Sequence, residues 1–396
     1  MLSKRAQALK PSPTLAISAK EKTLKAQGID IAGFGAGEPD FDTPEHIKKA
    51  AIDAINEGFT KYTPVGGIDT LKDAIIEKFR KDNGLEYERG EILVSCGGKH
   101  SLFNLFQAIF EEGDEVLIPS PYWVSYPPMV ELAGAKPVIM ETQENEDYQI
   151  TVDLLKRHLT AKTKAIVLNY PSNPVGSVYS LKNLEEIGRM AVERGFYIIS
   201  DEIYEKLTYD EYTHTSIASL DKAFKEKTII AHGVSKTYSM TGWRIGFTAG
   251  PVEVIGAMSN IQSQSTSNPT SISQKAVIAA LAGPQESIAM MLEQFKKRRD
   301  FLVSSFVGIE GITCYNPKGA FYVFPNFTSV LGRTYKGKKI DTSTALTGLL
   351  LEEFHTAVVP GIEFGKEGYL RLSFATSMEV IKKGFDRIKK AIGSLE

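Results

Sequence analysis

Short apolar runs alternate with amphipathic stretches through the middle of the chain. Seven runs read as strands, at residues 91–96, 115–118, 137–140, 165–169, 197–200, 228–231 and 245–249. Helical patterns fall between them, among them 70–83, 99–110, 181–194 and 251–262. Ser180 is placed to cap the third of these and Gly195 to stop it. Apolar strands interleaved with helices predict a mainly parallel sheet covered on both faces. In such a sheet a ligand binds beyond the carboxyl ends of the strands.

The last third reads differently. A long helix from about residue 284 to 307 precedes strand-like pieces at 320–324, 357–359 and 369–374. This pattern predicts a smaller α+β domain completed by the N-terminal segment. The predicted division is a large α/β domain over 46–295 and a small domain built from 1–45 and 296–396.

Composition narrows the classes. The 46 basic and 48 acidic residues leave a net charge of −2 with no long run of either sign, so neither a nucleic-acid nor a membrane partner is expected. Two cysteines argue against a disulfide framework and for a cytoplasmic setting. The N-terminus lacks a signal-peptide core, and no window approaches a membrane span.

The candidate chemistry centres on Gly233-Val-Ser-Lys-Thr-Tyr-Ser-Met-Thr-Gly-Trp-Arg-Ile-Gly246. A lysine at a strand end, crowded only by Gly233, Ser235 and Gly242, can approach a flat cofactor and form a Schiff base with an aldehyde. Arg244, eight residues after Lys236, can hold a phosphate through two parallel hydrogen bonds. Pyridoxal phosphate carries both groups on one ring. The competing reading of Lys236 is a solvated loop lysine.

Other segments fall where such a site needs them. Ser95-Cys-Gly-Gly-Lys99 ends a strand and opens a helix, and its glycines expose N–H groups to a phosphate. Trp123 can stack on a pyridine ring or be a half-buried core residue. Asn173, between prolines, can donate to a phenolic oxygen or simply form a tight turn. Asp201 at a strand end can pair with a pyridine nitrogen or cap a helix, and Tyr204 follows within reach of the ring. Arg371 lies in an alternating segment, where its anion is a substrate carboxylate or an internal salt bridge. The glycine-rich Gly33–Asp40 loop lacks a following helix and is rejected as a dinucleotide site.

Taken together, these segments resemble a class I/II aminotransferase of fold type I, an α/β fold with a large domain and a smaller α+β domain. The resemblance runs from Leu2-Ser-Lys-Arg to Arg371-Leu-Ser-Phe and points to the prokaryotic aspartate aminotransferase branch that includes prephenate aminotransferases. It rests on Ala36-Gly-Glu-Pro-Asp-Phe-Asp-Thr-Pro44, Lys61-Tyr-Thr-Pro64, Gly97-Gly-Lys-His-Ser-Leu-Phe-Asn104, Ser120-Pro-Tyr-Trp-Val-Ser-Tyr126, Ser200-Asp-Glu-Ile-Tyr204 and the Lys236 segment.

The resemblance implies that Lys236 holds pyridoxal phosphate and then shuttles a proton. It implies that Asp201 keeps the ring nitrogen protonated, that Asn173 and Tyr204 tune the phenolic oxygen, and that Trp123 stacks on the ring. Phosphate would be bound by Arg244, Ser235 and the Gly97–Gly98 turn ahead of Lys99, joined by Tyr62 from a second copy, so a homodimer with shared sites is implied. Arg371, with the backbone of Gly37, would clamp the α-carboxylate. The implied reaction moves an amino group between aspartate or glutamate and a 2-oxo acid by a ping-pong cycle, with prephenate as a further acceptor. An aromatic or broad-specificity aminotransferase, or a lyase on the same fold, is the alternative.

Two positions depart from the family pattern. Ser263 stands where the related branch uses an arginine for the distal carboxylate, which leaves that task to Lys99. Lys10 matches the N-terminal lysine that prephenate-using relatives employ, its competing reading being a solvated tail residue. Val175 stands where threonine is common, with little effect expected.

His46, His158, His214 and His355 fall in helical or surface patterns with no metal-ligand context. His100 reads as packing at a helix start, and Cys96 as a small buried residue. No metal is expected. A ligand-sensing regulator would carry a DNA-binding module ahead of this region, and the resemblance beginning at Leu2 argues against it. A nicotinamide dehydrogenase is disfavoured by the rejected glycine loop.

Overall fold

The computed structural model describes residues 2–9, 11 and 13–396. Its main sheet has seven strands: β1 (Ile92–Ser95), β2 (Glu115–Ser120), β3 (Lys136–Glu141), β4 (Thr163–Asn169), β5 (Tyr197–Asp201), β6 (Thr228–Gly233) and β7 (Gly246–Ala249). The order across the sheet is β1-β7-β6-β5-β4-β2-β3. Neighbours from β6 to β3 run parallel, and β7 is antiparallel to both β6 and β1. All seven apolar runs are strands, with ends displaced by no more than a few residues.

Alternation along each strand fills both faces. Val167, Ile199 and Ile229 pack on one face against Leu102 and Phe106 of α2 (Gly98–Ile109) and Met258 of α4 (Val252–Ser265). Ile166, Leu168 and Ile198 pack on the other against Leu184, Ile187 and Ala191 of α3 (Leu181–Arg194). Ser180 Oγ accepts from Asn183 N, and Gly195 ends α3 with φ of 79°, a left-handed conformation that a side chain would disfavour. A further helix, α1 (Asp69–Asn83), covers β1.

The C-terminal third forms a three-stranded antiparallel sheet in the order β9-β10-β8, with β8 at Tyr322–Val323, β9 at Val359–Pro360 and β10 at Leu370–Ser373. The long helix α5 (Glu286–Val307) places Phe295, Leu302 and Phe306 in the same core as Phe34 and Leu372. Arg298 of α5 forks onto Asp40, with contacts of 2.7 and 3.0 Å.

Three expectations are corrected. The apolar run 357–359 is not one strand: Thr356–Ala357 pairs in parallel with Ala32–Gly33, and Val359–Pro360 pairs with β10. Apolar periodicity reports burial but not which edge a run joins. His214 lies in neither a helix nor a surface pattern: its ring stacks on Tyr170 at 5.0 Å and its Nε2 sits 3.0 Å from Glu202 Oε2. It belongs to an irregular loop, where no period signals burial. Cys96 is half-buried rather than buried, because it sits on the turn between β1 and α2.

Candidate active site

A cavity of about 280 Å³ opens at the carboxyl ends of β4, β5 and β6 and is closed by Gly35, Gly37, Tyr322 and Arg371. Adjacent strand ends carry its polar groups. Asn169 ends β4 and Asp201 ends β5. The Asn169 side-chain amide donates to the Asp201 carbonyl at 3.0 Å and its oxygen accepts from Asn173 N at 2.8 Å, which ties these segments together.

Asp201 is 6% exposed. Tyr126 donates to its Oδ2 at 2.6 Å and Ile203 N to its Oδ1 at 3.3 Å. Burial raises its pKa to about 6 against those two hydrogen bonds. Asp201 caps no helix, since a turn follows it.

Lys236 sits three residues beyond the end of β6, and its ammonium donates to the carbonyl of Gly37 inside the cavity. Desolvation lowers its pKa to about 8; nearby Glu38 opposes this, and Arg371 and Arg244 add to it. The solvated-lysine reading does not describe it. Thr241 also donates to Glu38 at 2.8 Å, joining the Gly35–Glu38 loop to the loop that carries Lys236 and Arg244.

The Gly97 turn and Arg244 build one corner. Gly97 has φ of 94°, and a Cβ there would collide with the Arg244 guanidinium. Arg244, itself left-handed at φ 56°, donates to the Thr241 carbonyl at 2.9 Å. The free N–H groups at the start of α2 therefore lie beside a guanidinium, a combination that suits a phosphate. Ser235 lines the same cavity.

Trp123 is half-buried and meets Tyr126 edge-on at 5.2 Å. Lys99 holds its ammonium 5.0 Å from the Trp123 ring, over the cavity. Desolvation at the wall, followed by Arg244, lowers the Lys99 pKa.

Arg371 is 3% exposed, and its hydrogen-bond partners among the described residues are neutral. It donates to Asn173 Oδ1 at 3.1 Å and to the Gly35 carbonyl at 2.8 Å, while its Nε finds no partner among the described residues. A buried guanidinium with only neutral partners is suited to receive an anion. Tyr204 contacts Tyr322, hydroxyl to hydroxyl, at 3.0 Å.

Not every candidate enters this cavity. Tyr62 is 92% exposed and does not line this cavity. Ser263 lies exposed on α4, its hydroxyl donating to Asn260 O. Lys10 lies outside the described residues. His100 accepts from Cys96 N at 3.2 Å, packing at the start of α2, and Val175 packs beside Tyr148 and Phe324.

Asn169, Tyr126 and Tyr322 were not singled out in the sequence, although each touches a residue that was. Two signals were present: Asn169 closes a predicted strand, and Tyr126 closes the Ser120–Tyr126 segment. Glu202, Glu205 and His214 bring their ligand-type atoms within 4.8 Å of one another, so His214, expected to have no metal-ligand context, does have one; the Lys78 ammonium lies 2.5 Å from Glu205.

The model of the family "Aminotransferase class I and II" matches residues 29–388. The chain is 50% identical to the aspartate aminotransferase of Geobacillus stearothermophilus, with 98% of both chains covered. It is also 50% identical to the aspartate/prephenate aminotransferase of Nitrosomonas europaea, again with 98% of both covered. The crystal structure of the aspartate aminotransferase from Rhizobium meliloti superposes with a TM-score of 0.96 at 42% identity over 100% of both chains.

Proposed function

Because the chain belongs to the class I and II aminotransferase family and has the type I fold, we propose that it transfers an amino group between L-aspartate, or L-glutamate, and a 2-oxo acid. The cycle is ping-pong, with pyridoxal 5′-phosphate as cofactor and prephenate as a further acceptor. The observation that carries this reading is the convergence of Lys236, Asp201 and the neutrally partnered Arg371 on one cavity.

The residues fit that cofactor. The Arg244 guanidinium and the opening N–H groups of α2 suit its phosphate, and a Cβ at Gly97 would fill their junction. Asp201 suits the ring nitrogen, Trp123 the ring face, and Tyr204 and Asn173 the phenolic oxygen. When bound, the cofactor would supply an aldehyde that condenses with amines and a ring that acts as an electron sink.

The chain's own groups do the rest. An amine with a pKa near 8 is about one-quarter neutral at pH 7.5, against about one-thousandth for an ordinary lysine. Lys236 is therefore the group that would hold the cofactor's aldehyde carbon, with loss of water, and whose free amine would accept the proton of the substrate Cα. Asp201, as a carboxylate, would pair with the ring nitrogen and favour its protonated form. Arg371, with the Gly37 backbone, receives the α-carboxylate and so sets which Cα bond faces Lys236. Lys99 receives the distal carboxylate. Tyr62, 92% exposed on its own chain, reaches the phosphate from a second copy, which makes the working unit a homodimer with shared sites.

The test is production of glutamate from L-aspartate and 2-oxoglutarate by the purified, reconstituted protein, with L-phenylalanine in place of aspartate as the comparison. Turnover with aspartate far above that with phenylalanine supports the proposal. Turnover with phenylalanine alone would replace it with the aromatic reading.

A further inference from the structure

Tyr322 lines the cavity beside Arg371 and Tyr204. It lies on β8 opposite Ser373, which places it on the same face of the small sheet as Arg371, one diagonal step away. It is 1% exposed, its ring lies 4.6 Å from the Arg371 guanidinium carbon, and its hydroxyl lies 3.0 Å from that of Tyr204. Tyr204 and Tyr322 meet with ring planes at 85°, so hydroxyl contact rather than stacking relates them.

Two phenols in contact can point only one hydrogen along their shared line. A guanidinium over a phenol ring draws electron density from it and makes that phenol the stronger donor. Tyr322 carries that cation on its ring face; burial raises the pKa of both phenols, and Arg371 opposes that rise in each. The contact allows either hydroxyl to donate, and the cation on its ring assigns that part to Tyr322, with Tyr204 as acceptor. The hydrogen of Tyr204 is then left to point into the cavity, where both residues line the wall.

We propose that Tyr322 is a positioning residue: its hydroxyl holds Tyr204 as a hydrogen-bond donor toward the bound cofactor, and its ring seats Arg371. The proposal rests on the transaminase reading above.

The experiment uses the reconstituted holoenzyme and follows its visible absorption band against pH. A donor to an anionic oxygen favours the deprotonated chromophore, so losing that donor raises the midpoint. Tyr322→Phe should raise the midpoint by about 0.5 to 1 pH unit, in the same direction as Tyr204→Phe. It should add nothing in the Tyr204→Phe background, because it acts through Tyr204. Succinate, an unreactive dicarboxylate, should bind Tyr322→Phe within about twofold of wild type, whereas Tyr322→Leu, which lacks the ring, should bind it about tenfold more weakly.

A wild-type midpoint in Tyr322→Phe, or an undiminished shift in the Tyr204→Phe background, would overturn the positioning of Tyr204. Wild-type succinate affinity in Tyr322→Leu would overturn the seating of Arg371. A wild-type protein that gains no pH-dependent band with pyridoxal phosphate fails earlier and removes the transaminase reading itself.

Discussion

Tyr126 donates to Asp201 across 2.6 Å, joining residues 75 apart in the chain in a pair that is 2% and 6% exposed. Burial alone would hold Asp201 protonated well above the ordinary carboxylate range, and this hydrogen bond works against it. Hydrogen bonds to charged groups contribute roughly 1.5–3 kcal/mol. Tyr126→Phe should therefore weaken cofactor binding by at least about tenfold, read as the dissociation constant of pyridoxal phosphate from equilibrium dialysis. Unchanged affinity would remove Tyr126 from the site.

The same carboxylate opposes stability. In the folded protein its pKa is about 6, above the ordinary 3.8. Below about 4 both states hold the proton and ionisation makes no difference. As pH rises from 4 to 6 the unfolded chain loses its proton first, so folding weakens, by a total on the order of 3 kcal/mol, and stays weakened above 6. Asp201→Asn should thus make the cofactor-free protein more stable relative to wild type at pH 7.5 than at pH 4.5, by about 1–3 kcal/mol in urea unfolding. A pH-independent difference would contradict the burial argument.

Lys236 sets a second pH dependence. Only its neutral amine attacks an aldehyde, so the rate of cofactor uptake by the cofactor-free protein should rise with pH through a midpoint near 8. Stopped-flow absorbance checks this. A midpoint near the ordinary lysine value of 10.5 would show that the cavity does not depress the amine.

Lys99 is the cation over the Trp123 face of the cavity. Lys99→Ala should reduce kcat/KM for L-aspartate by about tenfold or more while leaving that for L-alanine within about threefold, since only aspartate brings a second carboxylate. Equal losses on both substrates would assign Lys99 to the cofactor instead.

The parts of the molecule legible in the sequence are those set by local pattern. Seven buried runs declared the sheet, Ser180 and Gly195 declared the limits of α3, and Lys236, Asp201 and Asn173 stood out because they follow strands. Tyr322 and Tyr126 did not, because their meaning lies in partners 118 and 75 residues away. The burial of His214 is hidden for a related reason: the loop around it has no period, and Glu202 and Tyr170 bury it from outside that loop. The break at Val358 reflects a choice between two sheet edges that no local run encodes.

The most direct test is borohydride reduction of the reconstituted protein followed by mass spectrometry of its peptides, with and without prior L-aspartate. The account predicts a reduced cofactor adduct on Lys236 alone, largely lost when aspartate is added first because the substrate amine has displaced the lysine. An adduct on another lysine, or one on Lys236 that aspartate leaves intact, would contradict it.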